Sequence, residues 1–229
     1  MSEDIFNSEF LLAGTNKVLR NRSVLAALTN KQSNDDGSLT EEEIKWLERR
    51  ARDGFAIITT AAAFVHPSGK SWSGELGVHS DEMLPGLIDL AGRINSHGAI
   101  SLVQIFHGGM RAPTEITGKT PISSSRNRTN QSSTNFSRAM LKPEIKEAVR
   151  WYVEAAIRCH KAGFDGVEIH GAHGYLIASF LSPITNKRND LYGGDRKGRM
   201  RFALEIARSM REKLPSHKPL FFRVSSVDG

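Results

Sequence analysis

The chain has 229 residues, of which 39% are hydrophobic and 24% charged, an ordinary composition for a soluble globular protein of one large or two small domains. A single cysteine excludes an internal disulfide framework and fits a reducing compartment. The N-terminus lacks a charged-then-apolar leader and no apolar run could cross a bilayer, so we expect a cytoplasmic protein without a membrane partner.

The formal net charge of +6 raises the question of a nucleic-acid partner, because phosphate backbones favour clustered Lys and Arg. The clustering is weak. The densest basic stretch, residues 187–201, also contains Asp190 and Asp195. We therefore expect no nucleic-acid binding, and the positive charge could instead attract an anionic substrate or a phosphorylated cofactor.

The first elements in the chain are predicted from short apolar runs. Those at residues 10–12 and 18–19 flank turn residues, which predicts a small hairpin. The apolar run of residues 21–29 then predicts a strand buried on both faces.

A helix is predicted next, because Thr40 and Glu43 have the spacing of a capping box and Gly54 follows the last apolar position. Residues 55–60 predict a second buried strand, and residues 61–78 predict a long loop. The alternation continues with helices at residues 81–96, 142–162 and 195–214 and with strands at residues 100–106, 167–170 and 220–224. In the helix of residues 81–96, Ile88 is predicted to face inward.

One polar segment interrupts the alternation. Residues 114–137 are rich in Ser, Thr and Asn and are too long for a plain connector. They predict either a lid over a site or a disordered insertion.

Strict alternation of strands and helices predicts a parallel sheet with right-handed crossovers. Two architectures fit this pattern, a (β/α) barrel and a doubly wound sheet. No G-x-G-x-x-G follows the first strand, so a dinucleotide-binding fold has no phosphate-binding turn.

Three polar side chains follow the predicted strand at residues 167–170. His170, His173 and Tyr175 lie where this strand ends, and in a parallel α/β protein that edge carries the chemistry. Two histidines at this spacing also occur by chance as structural residues, or could be two zinc ligands. No Cys pair lies nearby, and Cys159 precedes the strand on a helix, so we expect no metal.

The amino-acid sequence around these histidines is more specific than their spacing. AGFDGVEIHGAHGYL, followed by FLSP, N-x-R-x-D-x-YGG and R-x-RF, resembles the Old Yellow Enzyme family of flavin-dependent ene-reductases. The resemblance implies an α/β fold of the (β/α) TIM-barrel type. A closed barrel uses eight strands, and this chain predicts about five, so we expect an incomplete barrel that forms one partial FMN-binding domain over residues 1–229.

The resemblance also implies which residues contact flavin mononucleotide (FMN). Gln104 would read the pyrimidine edge of the ring, and Arg223 would stabilise its anionic reduced form. Because Arg223 lies on a buried strand, we expect the anionic cofactor to be its partner. The implied FMN contacts are Ala27, which stands where proline is common, Leu28, Thr29 near the flavin carbonyls, Ala62 beneath the ring, Gln104, His170 and Arg223.

The implied reaction passes hydride from NAD(P)H to FMN and from FMN to an activated alkene, a small α,β-unsaturated carbonyl compound. His170 and His173 would donate hydrogen bonds to the substrate's carbonyl oxygen. Tyr175 would protonate the α carbon.

Two departures from the family pattern leave an alternative open. The helix entry is YGGDRKGR, in which Asp195 can cap the helix but Gly198 weakens its first turn. The phosphate-binding loops after the seventh and eighth strands have no counterpart among the five predicted units. The alternative is a shortened, non-catalytic relative whose open sheet edge pairs with another chain, and a homo-oligomer is one form of such pairing.

Overall fold

The structure is a computed structural model that describes residues 4–226, so the outermost three residues at each end of the predicted domain lie outside the described residues. Nine strands are present in this range. They are β1 (Phe10–Leu11), β2 (Val18–Leu19), β3 (Val24–Leu25), β4 (Ile57–Phe64), β5 (Ile100–Phe106), β6 (Ile122–Ser123), β7 (Arg138–Ala139), β8 (Gly166–Gly171) and β9 (Leu220–Val224). The α-helices in the same range are α1 (Glu41–Arg52), α2 (Leu84–Ser96), α3 (Thr114–Thr117), α4 (Lys142–Lys161), α5 (Leu176–Leu181) and α6 (Arg196–Lys213).

Five of the strands form one parallel sheet in the order β3, β4, β5, β8, β9. Within this sheet, each strand lies beside the sheet strand that comes before it in the chain, and the order never reverses. A doubly wound sheet reverses its strand order at a switch point, whereas a barrel does not. The predicted α/β fold, an incomplete (β/α) barrel of five units, is therefore confirmed. The predicted hairpin is also present, as the antiparallel pair β1 and β2.

The first barrel strand is shorter and more exposed than the sequence predicts. Residues 21–29 were expected to form a buried strand, but only Val24 and Leu25 pair with β4. Val24 is 49% exposed and Leu28 is 59% exposed. The prediction of burial on both faces is wrong because β3 lies at the edge of the described sheet, where one side of the strand has no neighbouring strand in residues 4–226.

The second barrel strand is longer than predicted. β4 continues to Phe64, into the stretch expected to be loop, and every residue of the strand is buried. Its pairing with β5 shifts between Thr59 and Ala62, which identifies a β-bulge. The bulge brings Ala62 opposite Gln104 on the neighbouring strand.

Helix α1 begins as predicted but has only half of the expected capping box. The Thr40 side chain accepts a hydrogen bond from the Glu43 backbone N–H. The Glu43 carboxylate turns away from the helix end and accepts hydrogen bonds from Asn30 and Ser33 instead. Glu43 therefore fixes the chain that follows β3 against α1, through contacts outside the helix.

Gly198 has a packing role that the sequence does not reveal. Asp195 caps α6 as predicted, with its Oδ1 2.7 Å from the Gly198 backbone nitrogen. A Cβ atom at position 198 would collide with the carbonyl oxygen of Gly193. The glycine that weakens the first turn by propensity thus allows the helix to lie close to the preceding turn.

The polar segment of residues 114–137 is folded, so the alternative of a disordered insertion is wrong. It contains α3 and β6, and β6 pairs in parallel with β7 just beyond the segment. The side-chain hydroxyl of Ser124 is buried and donates to the carbonyl oxygen of Ser179, on α5, at 2.6 Å. Helix α5, which the sequence reading missed, therefore holds this segment against the barrel.

The main hydrophobic core lies between the outer face of the sheet and the helices. Val103 and Ile105 of β5 and Val167 and Ile169 of β8 pack there against α2 and α4. Ile88 does not join this core as predicted but is 53% exposed, on the solvent side of α2. In the described part of the chain, no helix combines the length and apolar character needed to cross a membrane.

Candidate active site

Polar side chains converge on the inner face of the sheet at the C-terminal ends of its strands. Alternate residues of a strand face opposite sides, so Glu168 and His170 share the inner face of β8. The register aligns Gln104 of β5 with Glu168, and His170 with Arg223 of β9. With Ala62 opposite Gln104 on β4, predicted cofactor residues from four neighbouring strands lie side by side.

Glu168 connects two of the predicted cofactor residues. Its Oε1 accepts hydrogen bonds from Gln104 Nε2 at 2.5 Å and from Arg223 Nε at 2.8 Å. The Glu168 side chain is 13% exposed and that of Arg223 is 29% exposed. The prediction that Arg223 lies on a buried strand is wrong, because every residue of β9 is half-buried or exposed. Glu168 of the neighbouring strand supplies a negative charge beside Arg223, and the anionic cofactor as a further partner stays a prediction.

A hydrogen bond to one ring nitrogen of His170 fixes the tautomer of the imidazole. Nδ1 of His170 accepts the backbone N–H of Ala172 at 3.2 Å, so Nδ1 carries no proton and Nε2 carries it. Burial, with smaller contributions from His173 and Arg223, lowers the pKa of His170 to about 3. The ring is therefore neutral at physiological pH and presents one N–H donor.

The turn after β8 presents His173 at the surface. The backbone of His173 has a φ angle of 57°, in the left-handed region that few non-glycine residues adopt. Its carbonyl oxygen accepts a hydrogen bond from Arg111 at 2.7 Å, and its N–H donates to Ser225 Oγ at 3.3 Å. Contacts from two other elements thus hold the exposed imidazole beside His170, with 4.9 Å between the ring centroids.

Tyr175 completes the predicted catalytic group. Its ring centroid lies 4.9 Å from that of His170 and 6.4 Å from that of His173, and it meets Phe106 edge-on at 5.0 Å. Burial raises the pKa of the half-buried Tyr175 hydroxyl, although the Arg111 guanidinium, 5.0 Å from the ring centroid, opposes the rise. The phenol therefore keeps its proton at neutral pH and can donate it.

Sequence reasoning missed two acidic residues near this group. Glu168 was detectable, because it lies two positions before His170 on a strand and must share its inner face. Glu75 was not, because it lies in the loop after β4. Its Oε2 accepts the backbone N–H groups of Ser71 and Trp72, and burial raises its pKa well above the usual value.

Three of the predicted FMN contacts are not brought into this cluster by the strand register. Ala27, Leu28 and Thr29 follow β3, and Leu28 and Thr29 are exposed to solvent. Their contact with the cofactor stays a prediction. Among the described residues, no three His, Cys, Asp or Glu side chains are grouped as metal ligands would be.

A second histidine cluster lies apart from these strand ends and has a structural role. His107 Nδ1 accepts the Gly109 backbone N–H, so its Nε2–H donates to Ser68 Oγ at 3.0 Å. Ser68 in turn contacts His66, whose ring stacks on Trp151 of α4 at 4.0 Å. These contacts tie the loop after β4 to the end of β5. His66, Ser68 and Trp151 also line one wall of a surface cavity of about 600 Å³.

This architecture defines a class of protein, a (β/α)-barrel protein with hydrogen-bond donors and a protonated phenol gathered where the parallel strands end. Residues 12–229 match the NADH:flavin oxidoreductase / NADH oxidase family, and the chain belongs to that family. The resemblance to Old Yellow Enzymes, identified from the sequence around His170, is thereby confirmed.

Two curated relatives show how much of such a protein the chain contains. It is 37% identical over 199 residues to the probable NADH-dependent flavin oxidoreductase YqiG of Bacillus subtilis, covering 87% of the chain and 53% of that protein. It is 35% identical to an NADPH dehydrogenase of Halalkalibacterium halodurans, covering 100% of the chain and 65% of the relative.

Solved structures of related proteins also match this chain over only part of their length. A 2-naphthoyl-CoA reductase complex superposes with a TM-score of 0.90 at 30% identity, over 95% of this chain and 35% of that one. The Old Yellow Enzyme homologue of Zymomonas mobilis superposes with a TM-score of 0.88 at 25% identity, over 96% and 62%. The chain thus spans less than two thirds of the length of each of these four proteins.

Proposed function

We propose that this chain carries the substrate-binding and proton-donating part of an FMN-dependent NAD(P)H oxidoreductase that reduces activated alkenes. The observation that supports this most directly is the group formed by His170, His173 and Tyr175 beside the inner-face residues of β5, β8 and β9. We further propose that residues 1–229 form one partial FMN-binding barrel domain. Its cytoplasmic location stays a prediction.

The chemistry of the inner-face residues fits a flavin ring. Gln104 offers a carbonyl oxygen and an N–H on one side chain, which suits the mixed donor and acceptor edge of a pyrimidine. Arg223 uses Nε for Glu168, and its two terminal nitrogens form no hydrogen bond within residues 4–226, so they could donate to carbonyl oxygens of a ligand. Ala62 is small and buried beside them. When bound, FMN would supply the hydride chemistry, with NAD(P)H as its reductant.

The catalytic residues would act on the substrate rather than on the cofactor. Nε2–H of His170 is the donor placed by the turn at Ala172, and we assign it to the carbonyl oxygen of an α,β-unsaturated substrate. His173 would donate to the same oxygen. Because His170 is neutral, it polarises this oxygen without losing a proton, and the proton for the α carbon comes from the Tyr175 hydroxyl.

Flavin absorbance and enone reduction test this proposal. The double variant His170→Ala/His173→Ala should bind FMN and remain coloured but lose enone reduction, because both donors to the substrate oxygen are gone. A matched control removes two histidines elsewhere, His160 of α4 and the exposed His217, and should keep both properties. An unchanged chain that stays colourless with added FMN would contradict the proposed function.

A second candidate is favoured by the exposed apolar residues at the two edges of the sheet. Val24 and Leu28 at one edge are 49% and 59% exposed, and Val224 at the other is 61% exposed. Edges of this kind pair readily with further strands. The candidate is a non-catalytic subunit that pairs through them with another chain, a second copy included. A monomeric, flavin-loaded species in sedimentation would count against it.

A further inference from the structure

The strongest unassigned feature is the carboxylate that joins Gln104 and Arg223. Both hydrogen bonds converge on the same oxygen, Oε1 of Glu168. We propose that Glu168 is a positioning residue that orients the Gln104 amide and moderates the charge of Arg223 toward the flavin ring. This inference rests on the proposed function, because it assigns a role toward the cofactor of that site.

The first step concerns the orientation of the amide. A carboxylate accepts hydrogen bonds and donates none, so the Gln104 atom that contacts Glu168 must be Nε2. The Arg223 Nε–H donates to the same oxygen, which is therefore the acceptor in both hydrogen bonds. The Gln104 carbonyl oxygen therefore points away from this contact and is left as an acceptor. A flavin ring has one N–H on its pyrimidine edge, at N3, and an oriented carbonyl oxygen is what that group requires.

The second step concerns charge. Within residues 4–226, Arg223 forms its side-chain hydrogen bond and its ion pair with Glu168 alone. A lone guanidinium beside the N1 and O2 edge would strongly favour the reduced ring, which carries a negative charge. The neighbouring carboxylate offsets part of this preference because both side chains are largely shielded from solvent. Glu168 would thus lower the affinity for reduced FMN relative to oxidised FMN.

The test compares binding of oxidised and reduced FMN by the full chain, under anaerobic conditions for the reduced form. Glu168→Gln keeps the shape of the side chain but removes its charge. The ratio of the oxidised to the reduced dissociation constant should rise at least tenfold, which corresponds to a midpoint potential higher by about 30 mV for a two-electron couple. Glu168→Asp restores a carboxylate and should bring the ratio back toward that of the unchanged chain.

The orientation of the amide is tested with a second variant and a modified ligand. Glu168→Met has similar length but no acceptor, so Gln104 becomes free to rotate. N3-methyl-FMN lacks the N3–H donor. The unchanged chain should prefer FMN over N3-methyl-FMN, and Glu168→Met should reduce this preference at least fivefold. As a control, Glu205→Gln removes a carboxylate that pairs with Lys146 on the outer helices and should change neither ratio.

The outcomes separate this inference from the proposed function. If Glu168→Gln folds and its affinities for oxidised and reduced FMN change by the same factor, or not at all, the assignment of Glu168 is overturned while FMN binding stands. If Glu168→Gln does not fold, Glu168→Asp decides, because a tenfold change in its ratio despite the retained charge would contradict the inference. If the unchanged chain binds neither form of FMN, both the inference and the proposed function fail.

Discussion

The chain has three tyrosines, and the structure predicts a different result when each is changed to phenylalanine. The Tyr175 ring contacts would remain in Tyr175→Phe, because they involve the faces and edges of Phe106 and His170. The Tyr192 hydroxyl donates to Glu205 at 3.0 Å. The Tyr152 hydroxyl is buried without a hydrogen-bond partner in residues 4–226. Tyr175→Phe therefore removes the proposed catalytic proton, Tyr192→Phe removes a structural hydrogen bond, and Tyr152→Phe removes an unpaired polar atom.

The magnitudes follow from these contacts. Tyr175→Phe should slow enone reduction by about 10²- to 10⁴-fold, the usual value of a positioned acid. It should change the free energy of unfolding by less than about 0.5 kcal/mol. Tyr192→Phe loses a hydrogen bond to a charged group, which costs about 1.5 kcal/mol. That loss lowers Tm by about 3 to 6 °C in a chain of this size, without affecting catalysis. Tyr152→Phe should be neutral or stabilising, because no hydrogen bond is lost.

Differential scanning fluorimetry and a steady-state assay with an enone and NAD(P)H would measure the two effects on FMN-loaded protein. The signature is that activity and stability respond to different tyrosines. A Tyr175→Phe variant that keeps more than a tenth of the activity would refute the assignment of the proton donor. A Tyr192→Phe variant with an unchanged Tm would refute the claim that the Tyr192–Glu205 hydrogen bond stabilises the fold.

Further predictions test the scaffold and one buried acid. Arg20 donates to three carbonyl oxygens, 2.5 to 2.9 Å away, near the ends of α1 and α2. Arg20→Lys should lose two of these hydrogen bonds, which lowers the free energy of unfolding measured by chemical denaturation by about 3 kcal/mol. Arg22→Lys, at an exposed site, is the control and should change that free energy by less than about 0.5 kcal/mol. Gly92→Ala adds a methyl group in open space on α2 and should stabilise the protein by about 0.5 to 1 kcal/mol. The added methyl group of Gly166→Ala would collide with the carbonyl oxygen of Pro219, so this variant should be less stable by about 1 to 3 kcal/mol. Melting curves would measure both changes. Burial raises the folded-state pKa of Glu75 above the unfolded value of 4.5, so its favourable contribution is complete below that pH and is lost as the pH rises through the folded pKa. Glu75→Gln should therefore become more stable relative to the unchanged chain as the pH rises above 4.5 in urea titrations, and a pH-independent difference would contradict this explanation.

The sequence predicted most of the candidate site because the resemblance to Old Yellow Enzymes identifies residues by short motifs, each of which lies within one strand or turn. His170, His173 and Tyr175 come together as the motif implied, and Gln104 and Arg223 lie on the strands expected for them. The partner of Arg223 could not be read in the same way. Its carboxylate lies 55 positions earlier, on the neighbouring strand, and only the register of the two strands brings the charges within 2.8 Å.

The sequence by itself determined the order of the five barrel strands and of the long helices α1, α2, α4 and α6, together with the caps of α1 and α6, because these depend on side chains a few positions apart. Only the tertiary structure decided which residues are exposed at the edges of the sheet, where the Glu43 carboxylate binds and that Gly198 is required for close packing. These features depend on how separate elements lie against one another, even where, as for Gly198 and Gly193, the residues are only a few positions apart. That arrangement is set by how the whole sheet and its helices pack.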